Sequence, residues 1–290
     1  NGDAKITISY YDFCRFINTK LNIYRFKLDK ESDGFRYVKL SKGVISSVTM
    51  ADIKELVKDY LESLENYFDG IYKDQLLEVL YRSSNSIFSD NMLEFLEYTN
   101  VEILRSTAQE SYFPFLNGIV RVSKYNKIEL ISYEQVNGKY IWEKQIIKHN
   151  IKLDFDYKDF SFNKFISKIC NDDEQRYLFA CQCVGYALAQ YRDPLKPITL
   201  VFGEETSDTK MGGGAGKGIL VNAISKLLPI TIIDGKSFNP DSDFAFQRVN
   251  TETKAVVLQD TKDKFDFENL FSKTTDGFTI RKLFTPEFFI

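Results

Sequence analysis

A glycine-rich loop between an apolar run and an amphipathic helix pattern restricts the fold of this chain more than any other feature. Residues 198–202 form an almost continuous apolar run, which is typical of a buried parallel strand. Apolar residues then recur at helical spacing from Ile219 to Leu228, and Pro229 ends that pattern. The loop before the helix contains Gly212, Gly213, Gly214, Ala215, Gly216, Lys217 and Gly218. This order predicts a strand, a glycine loop and a helix that begins directly at the loop.

Such an order of elements is what a nucleoside-triphosphate site requires. Glycines let backbone N–H groups converge on phosphate oxygens, and the amino end of the helix adds a favourable dipole. Lys217 is then placed to reach the β- and γ-phosphates. Two positions depart from the usual motif, since Met211 stands where its first glycine belongs and Gly218 replaces the Ser or Thr that holds Mg²⁺. A chance glycine loop is the alternative, which the flanking patterns disfavour.

Two further strands are predicted after the loop, and the second of them ends in an acid. Residues 230–234 and 254–260 are both apolar runs, and the latter finishes with Asp260. An apolar strand ending in acid is the Walker B pattern, whose carboxylates hold Mg²⁺ and orient the attacking water. Gln259 is neutral where another acid would be expected. We therefore predict Lys217 and Asp260 as catalytic residues, with Asp260 also the metal ligand.

A possible nucleic-acid contact follows close to the end of the chain. Residues 274–283 read as a strand entering a hairpin, with the adjacent cations Arg281 and Lys282, and residues 288–290 begin its return strand. Adjacent cations at a hairpin can hold phosphates. The alternative is a charged pair that protects an exposed edge strand.

The first half of the chain has a mixed pattern. Residues 1 to about 50 alternate aromatic and polar residues around a turn at Asp33-Gly34, which predicts a hairpin of two strands. Helical spacing begins at Met50, with Thr49 as N-cap, and strand-like segments return over 112–147. Aromatic residues make up 15% of the chain, and we assign most of them to core and partner-facing surface, with base stacking as the alternative.

A polar segment over 148–164 is predicted to be a linker, followed by a helix from Tyr177 to Tyr191. The linker contains Asp154-Phe155-Asp156, which could hold metal ions but is more simply a solvated stretch. Within the helix, Cys181 and Cys183 form a C-x-C pair for which core packing is the favoured interpretation.

Composition excludes several other classes of protein. With 27% charged residues, a net charge of −3 and no apolar stretch approaching 18 residues, the 290-residue chain is neither disordered, nor broadly cationic, nor membrane-spanning. Four cysteines without regular spacing favour a reducing compartment, and the single histidine, His149, argues against a zinc cluster or a histidine-based triad. Because the first residue is Asn1, we expect the chain to be a piece of a longer protein.

Taken in order, the loop with Lys217, the compact Walker B strand at Asp260, residues 265–268 and residues 275–282 resemble superfamily 3 helicases. The resemblance is closest to the primase-helicases of phages and mobile elements, which are related to the poxvirus-type enzyme. It covers about residues 165–290, and residues 1–150 resemble the domain that precedes the helicase in the same proteins.

The resemblance implies an α/β fold. Residues 197–290 would form an AAA+-like P-loop ATPase domain with a parallel sheet, preceded by a mixed α+β domain over 1–150 and a linker and helical segment over 151–196. It also implies ATP and Mg²⁺ as cofactors and a homo-hexameric ring on single-stranded DNA, contacted by Arg281 and Lys282. The host cytoplasm of a bacterium and an upstream primase domain are part of the same expectation.

The same resemblance places a sensor asparagine and an arginine finger beyond Ile290, so we expect weak or no hydrolysis by these 290 residues alone. Two other functions stay open from the sequence. One is a nucleotide-binding or scaffolding module with impaired catalysis, and the other is a P-loop kinase.

Overall fold

The computed structural model describes residues 6–27, 34–125, 127–136, 138–154, 160–189, 191, 216–249, 253–262, 265–275, 279–282 and 285–289. The chain divides into two compact units. The first unit runs to Leu104 and takes in Tyr133–Lys144, and the second consists of Arg105–Ser132 and the chain from Gln145 onward.

The helices and strands of the described ranges follow one another in a mixed order, with consecutive strands and consecutive helices. In order they are α1 (Tyr10–Lys20), β1 (Ile23–Lys27), β2 (Phe35–Ser41), β3 (Val44–Ser47), α2 (Met50–Glu62), β4 (Tyr67–Phe68), β5 (Ile71–Tyr72), α3 (Lys73–Ile87), α4 (Asp90–Leu93), β6 (Glu110–Phe115), β7 (Gly118–Ser123), β8 (Ile128–Ile131), β9 (Ile141–Trp142), α5 (Ser161–Ile169), α6 (Glu174–Leu188), α7 (Lys217–Ser225), β10 (Ile230–Asp234), β11 (Ala255–Gln259), α8 (Phe271–Thr275), β12 (Thr279–Lys282) and β13 (Thr285–Phe289).

The first unit is built on a four-stranded sheet in the order β1-β2-β3-β9, in which β3 and β9 run parallel and the other pairs antiparallel. Helices α1 to α4 contribute to one hydrophobic core with this sheet, centred on fully buried residues such as Ile17, Ile23, Ile53 and Leu93. The predicted β1–β2 hairpin is confirmed, although Asp33 of its predicted turn lies outside the described residues.

Helix α1 was not predicted, because the strand-like interpretation extended over the first 50 residues. It buries few apolar residues, namely Phe13, Cys14 and Ile17, while Tyr10 and Tyr11 are exposed and obscure the helical period. Ser9 caps it by accepting a hydrogen bond from the Asp12 amide.

The predicted start of α2 is confirmed in detail. The Thr49 hydroxyl accepts from the Asp52 amide at 3.2 Å, and the Asp52 carboxylate accepts from the Thr49 amide at 2.7 Å. These reciprocal bonds form a capping box, which satisfies two backbone donors at the helix end. They also lower the pKa of Asp52, since both the amide and the hydroxyl of Thr49 stabilise its charged form.

The second unit contains an antiparallel sheet β6-β7-β8, the parallel pair β10–β11 and the antiparallel pair β12–β13. The predicted strands over 112–147 and the two apolar strands after the glycine loop are therefore confirmed. The first predicted strand of the nucleotide site, 198–202, lies outside the described residues. The architecture is mixed α/β with a parallel pair of strands in the second unit.

Helices α5, α6 and α7 pack together around Ile166, Cys170 and Leu220. The predicted linker extends too far, because its last residues, Ser161 to Lys164, form the start of α5. Cys181 packs against this cluster, Cys183 is half-buried, and all four cysteines are free thiols. None of the helices in the described ranges has the length and apolar character needed to cross a bilayer.

Candidate nucleotide-binding site

Helix α7 begins directly after a glycine that no other residue could replace without strain. Gly216 has φ +85°, a left-handed conformation that side chains disfavour. A Cβ at this position would also lie 2.7 Å from two ring carbons of Phe165 on α5. The glycine therefore lets the loop turn into the helix while its backbone lies directly against a neighbouring helix.

Lys217 is the first residue of α7, at the end where the helix amides point away from the helix body. The helix is fixed by Leu220, which is 5% exposed and packs with Ile166 and Cys170. Lys217 is half-buried and lies three residues before Leu220 on the same helix. The packing of the helix therefore holds the backbone of this predicted phosphate-binding lysine.

Gly218, the position where the usual motif has a hydroxyl, is sterically open. Apart from the neighbouring residues and the backbone of its own helix, no heavy atom lies within 4 Å of a Cβ built there. The absent hydroxyl is thus not a consequence of crowding, and a serine side chain would fit.

The predicted acidic strand ends at the same edge as its parallel neighbour. Strands β10 and β11 are in register from Ile230 opposite Ala255 to Asp234 opposite Gln259, and Asp260 follows β11. Parallel strands present their carboxyl ends on one edge, where ligands of open α/β sheets bind. This places two exposed carboxylates, Asp234 and Asp260, at that edge.

Gly235 allows a very close approach of backbone to backbone at this edge. Its N–H donates to the Gln259 carbonyl at 2.6 Å. A Cβ on Gly235 would lie 2.7 Å from that carbonyl oxygen and 2.9 Å from the Thr261 nitrogen. The turn after β10 is consequently tied to the end of β11, next to Asp260.

Asp234 was not among the residues predicted from the sequence. Its carboxylate accepts from the Ser237 hydroxyl at 2.8 Å and from the Lys236 amide at 3.0 Å. The Ser237 bond first, and then the Lys236 amide, lower its pKa, so the group stays ionised. The sequence signal for Asp234 was an acid at the end of the predicted strand 230–234. Its position opposite Gln259 depends on the strand register, which the tertiary structure determines.

Asp260 itself has φ +52°, a conformation that Asp adopts more readily than most residues. Its exposed carboxylate has the oxygen chemistry that Mg²⁺ prefers. Among the described residues no group of three or more His, Cys, Asp or Glu side chains could hold a metal. The residues therefore fit Mg²⁺ only as a partial site that phosphate oxygens would complete.

A hairpin near the end of the chain is confirmed in its backbone, but its predicted bounds are wrong, because Thr274 and Thr275 belong to α8 and the return strand already begins at Thr285. β12 and β13 pair antiparallel, with a register shift between Ile280 and Lys282. Ile280 is 1% exposed and packs with Phe238, Phe246 and Val249, a cluster that includes Ile233 of β10 and Leu258 of β11. The hairpin is thereby anchored to the parallel pair, while the side chains of Arg281 and Lys282 lie outside the described residues.

The described residues of the predicted site belong to two different parts of the second unit. Gly216, Lys217 and Gly218 belong to the helix cluster of α5 to α7, and Asp260 belongs to the edge of β10–β11. Gly212, Gly213, Gly214 and Ala215, which would lie between strand and helix, are outside the described residues, as is Asp156 of the alternative acidic pair. Asp154 of that pair is exposed.

The similarity of this chain to known proteins is partial. No protein-family model matches the chain. Over 138 residues it is 31% identical to the Lon protease of Cytophaga hutchinsonii, and this stretch is 46% of the chain. Since the chain covers 16% of that protein, a match of this extent does not assign it to the family.

The two glycines on either side of Lys217, one capping α7 and one inside it, should respond differently to substitution by alanine. Gly216→Ala should destabilise the protein by at least about 1–2 kcal/mol, because the left-handed backbone and the Phe165 ring both oppose a Cβ. Gly218→Ala should instead be neutral or stabilise by up to about 1 kcal/mol, because it sits in open space inside a helix. Urea unfolding followed by far-UV circular dichroism measures both, and equal effects would contradict the described start of α7.

Proposed function

We propose that this chain is the ATP-binding part of a replicative DNA helicase of the superfamily 3 type, from a phage or mobile element. The observation that carries the proposal is the order and geometry of the second unit. A left-handed glycine and a lysine begin α7, the chain then enters β10, and its parallel partner β11 ends next to Asp260. This is the order in which a phosphate-binding helix and an acidic strand follow one another in P-loop enzymes.

In the proposed site we infer the role of each residue from its position. The Lys217 ammonium would contact the β- and γ-phosphates, and the first amides of α7 would donate to phosphate oxygens. Asp260, alone or with Asp234, would hold the metal through water or orient the attacking water. Mg²⁺, when bound, supplies charge neutralisation on the phosphates.

Translocation on single-stranded DNA as a homo-hexameric ring belongs to the same proposal. Its support here is the hairpin β12–β13, which is anchored through Ile280 to the cluster that contains β10 and β11. A change at the nucleotide edge could pass to the hairpin through these contacts. Cytoplasmic location in a bacterial host and an upstream primase domain are part of the same proposal.

A second candidate function is a nucleotide-binding module that hydrolyses ATP poorly. The observation that favours it is the lack of a hydroxyl at Gly218 and of a carboxylate at Gln259. Gly218 has space for a hydroxyl and lacks one, and the side chain of Gln259 is neutral at the edge where Asp234 and Asp260 lie. The two functions share ATP binding and differ in turnover.

Removal of the Lys217 ammonium should weaken nucleotide binding. Lys217→Ala should lower the affinity for a fluorescent ATP analogue several-fold or more, because it removes a charge-assisted hydrogen bond to the phosphates. Lys226→Ala is the matched control, since it removes an exposed lysine just after the same helix. Equal affinities for the two variants, with unchanged thermal unfolding, would exclude the proposed phosphate site.

Hydrolysis should be limited by the missing hydroxyl at Gly218 and the missing carboxylate at Gln259. The unchanged chain should turn over ATP near the background rate, and the double variant Gly218→Ser, Gln259→Asp should be measurably faster. Gln259→Asn is the control, because it shortens the side chain without adding charge. Phosphate release gives the rates, and brisk Mg²⁺-dependent hydrolysis by the unchanged chain, abolished by Asp260→Ala, would contradict the assigned defect.

The hairpin cations should account for part of the salt dependence of DNA binding. Replacing Arg281 and Lys282 by Gln should reduce the slope of log affinity against log salt by roughly 0.7 for each DNA phosphate that the two side chains neutralise. Replacing the exposed Lys226 and Lys262 by Gln removes equal charge elsewhere in the second unit. If both double variants change the slope equally, the hairpin pair acts only as edge-strand protection.

A further inference from the structure

The first unit carries a partly exposed group of side chains in which two cations lie against aromatic rings. It consists of Arg25 and Lys27 on β1, Phe35 on β2 and Tyr98, and we name it the aromatic–cation patch. It is remote in sequence from the residues of the nucleotide site, and the proposed function makes no use of it.

The backbone of the sheet brings these side chains to one face. Next to β1, the Arg25 amide donates to the Glu97 carbonyl at 2.8 Å, and the Thr99 amide donates to the Arg25 carbonyl at 2.9 Å. This bridge places Tyr98 beside Arg25. On the other side of β1, Phe35 pairs with Lys27. Because side chains alternate along a strand, Arg25 and Lys27 share the same face.

Distances show that the cations contact the rings. The Arg25 guanidinium carbon is 4.0 Å from the centre of the Tyr98 ring and 5.4 Å from that of Phe35. The Lys27 ammonium nitrogen is 5.6 Å from the Tyr98 ring centre. Arg25 is fixed further by donating its Nε–H to the Leu96 carbonyl at 2.6 Å. The planar groups of the patch are therefore held in place before any ligand binds.

The patch is also accessible and carries two cations. Tyr98 is 42% exposed and Lys27 is exposed. Within the described ranges, no carboxylate forms an ion pair with Arg25 or Lys27. Tyr37, which pairs with Arg25 across β1 and β2, is influenced by charges of both signs: burial and then the Asp90 and Glu94 carboxylates raise the pKa of its phenol, and Arg25 lowers it. The chain has a net charge of −3, so an anionic ligand would need a local cationic surface such as this one.

We propose that the aromatic–cation patch binds single-stranded nucleic acid, with a base stacked on the exposed part of Tyr98 and a neighbouring phosphate held by Lys27. Stacking on an aromatic ring combined with phosphate contacts from basic residues is the usual recognition of single strands. Bases within a duplex are already stacked and offer no free face. A phosphorylated peptide would satisfy Lys27 but presents no series of planar bases. The inference does not rest on the nucleotide site of the second unit.

The test uses the full chain with Arg281 and Lys282 replaced by Ala, so that the hairpin does not contribute. Binding of a dye-labelled oligothymidylate is followed by fluorescence anisotropy without nucleotide. Tyr98→Ala should weaken binding by roughly ten-fold, the loss expected for one stacked base, and Tyr98→Phe should keep the affinity. Tyr81→Ala is the matched control, because Tyr81 is an exposed tyrosine on α3 of the same unit.

The phosphate contact has its own measurement. Lys27→Gln should reduce the salt slope by roughly 0.7, as expected for one contact to a single strand. Equal affinities of Tyr98→Ala and Tyr81→Ala would overturn the proposal. The proposal would also be overturned if duplex DNA or a phosphotyrosine peptide competed for binding as well as unlabelled oligothymidylate does.

A crosslinking experiment keeps the proposal testable if Tyr98→Ala fails to fold. The Arg281→Ala, Lys282→Ala chain is irradiated with an oligonucleotide that contains 5-iodouracil, and the crosslinked peptide is identified by mass spectrometry. A crosslink at Tyr98 supports the patch, and crosslinks confined to other segments overturn it. Lys217→Ala should leave this crosslink unchanged, which separates failure of the patch from failure of the nucleotide site.

Discussion

The hydrogen bond from the Gly235 amide to the Gln259 carbonyl, at 2.6 Å, is the contact on which the carboxylate edge of the second unit depends. It joins the turn after β10 to the last residue of β11, and only a glycine permits the approach. Because the two strands are parallel and in register up to this point, Asp234 and Asp260 come to the same edge. Two carboxylates there, together with the neutral Gln259, define what chemistry the edge can support.

Helix α7 is positioned by a different set of contacts from those of the edge. Gly216 lies against Phe165, and Leu220 packs with Ile166 and Cys170, so the start of the helix is determined by α5 and α6. The parallel pair is held by a separate cluster that includes Ile280 of the hairpin. In the proposed function, a nucleotide that contacts both Lys217 and Asp260 would contact elements from both clusters.

The first unit shows how a sheet can hold cations and rings together. The Arg25 Nε–H donates to the Leu96 carbonyl, and its guanidinium carbon lies 4.0 Å from the Tyr98 ring centre, so these contacts compensate part of the hydration that the half-buried side chain loses. The exposed part of the same ring remains available to a ligand. From composition alone, base stacking was the less favoured interpretation of the aromatic residues. For Tyr98, the geometry of this face is the reason that we propose base stacking.

Local sequence determined much of what the structure contains. Thr49 and Asp52 specify a helix start through their own side chains, and the apolar runs at 230–234 and 254–260 specify strands, because these signals act within a few residues. Helix α1 escaped prediction because it buries few apolar residues and begins with exposed tyrosines. The register that places Asp234 opposite Gln259, and the bridge that places Tyr98 on Arg25, were decided only by the tertiary structure. Each joins residues far apart in the chain, and pairing at that range is fixed by backbone hydrogen bonds and burial that no local pattern encodes.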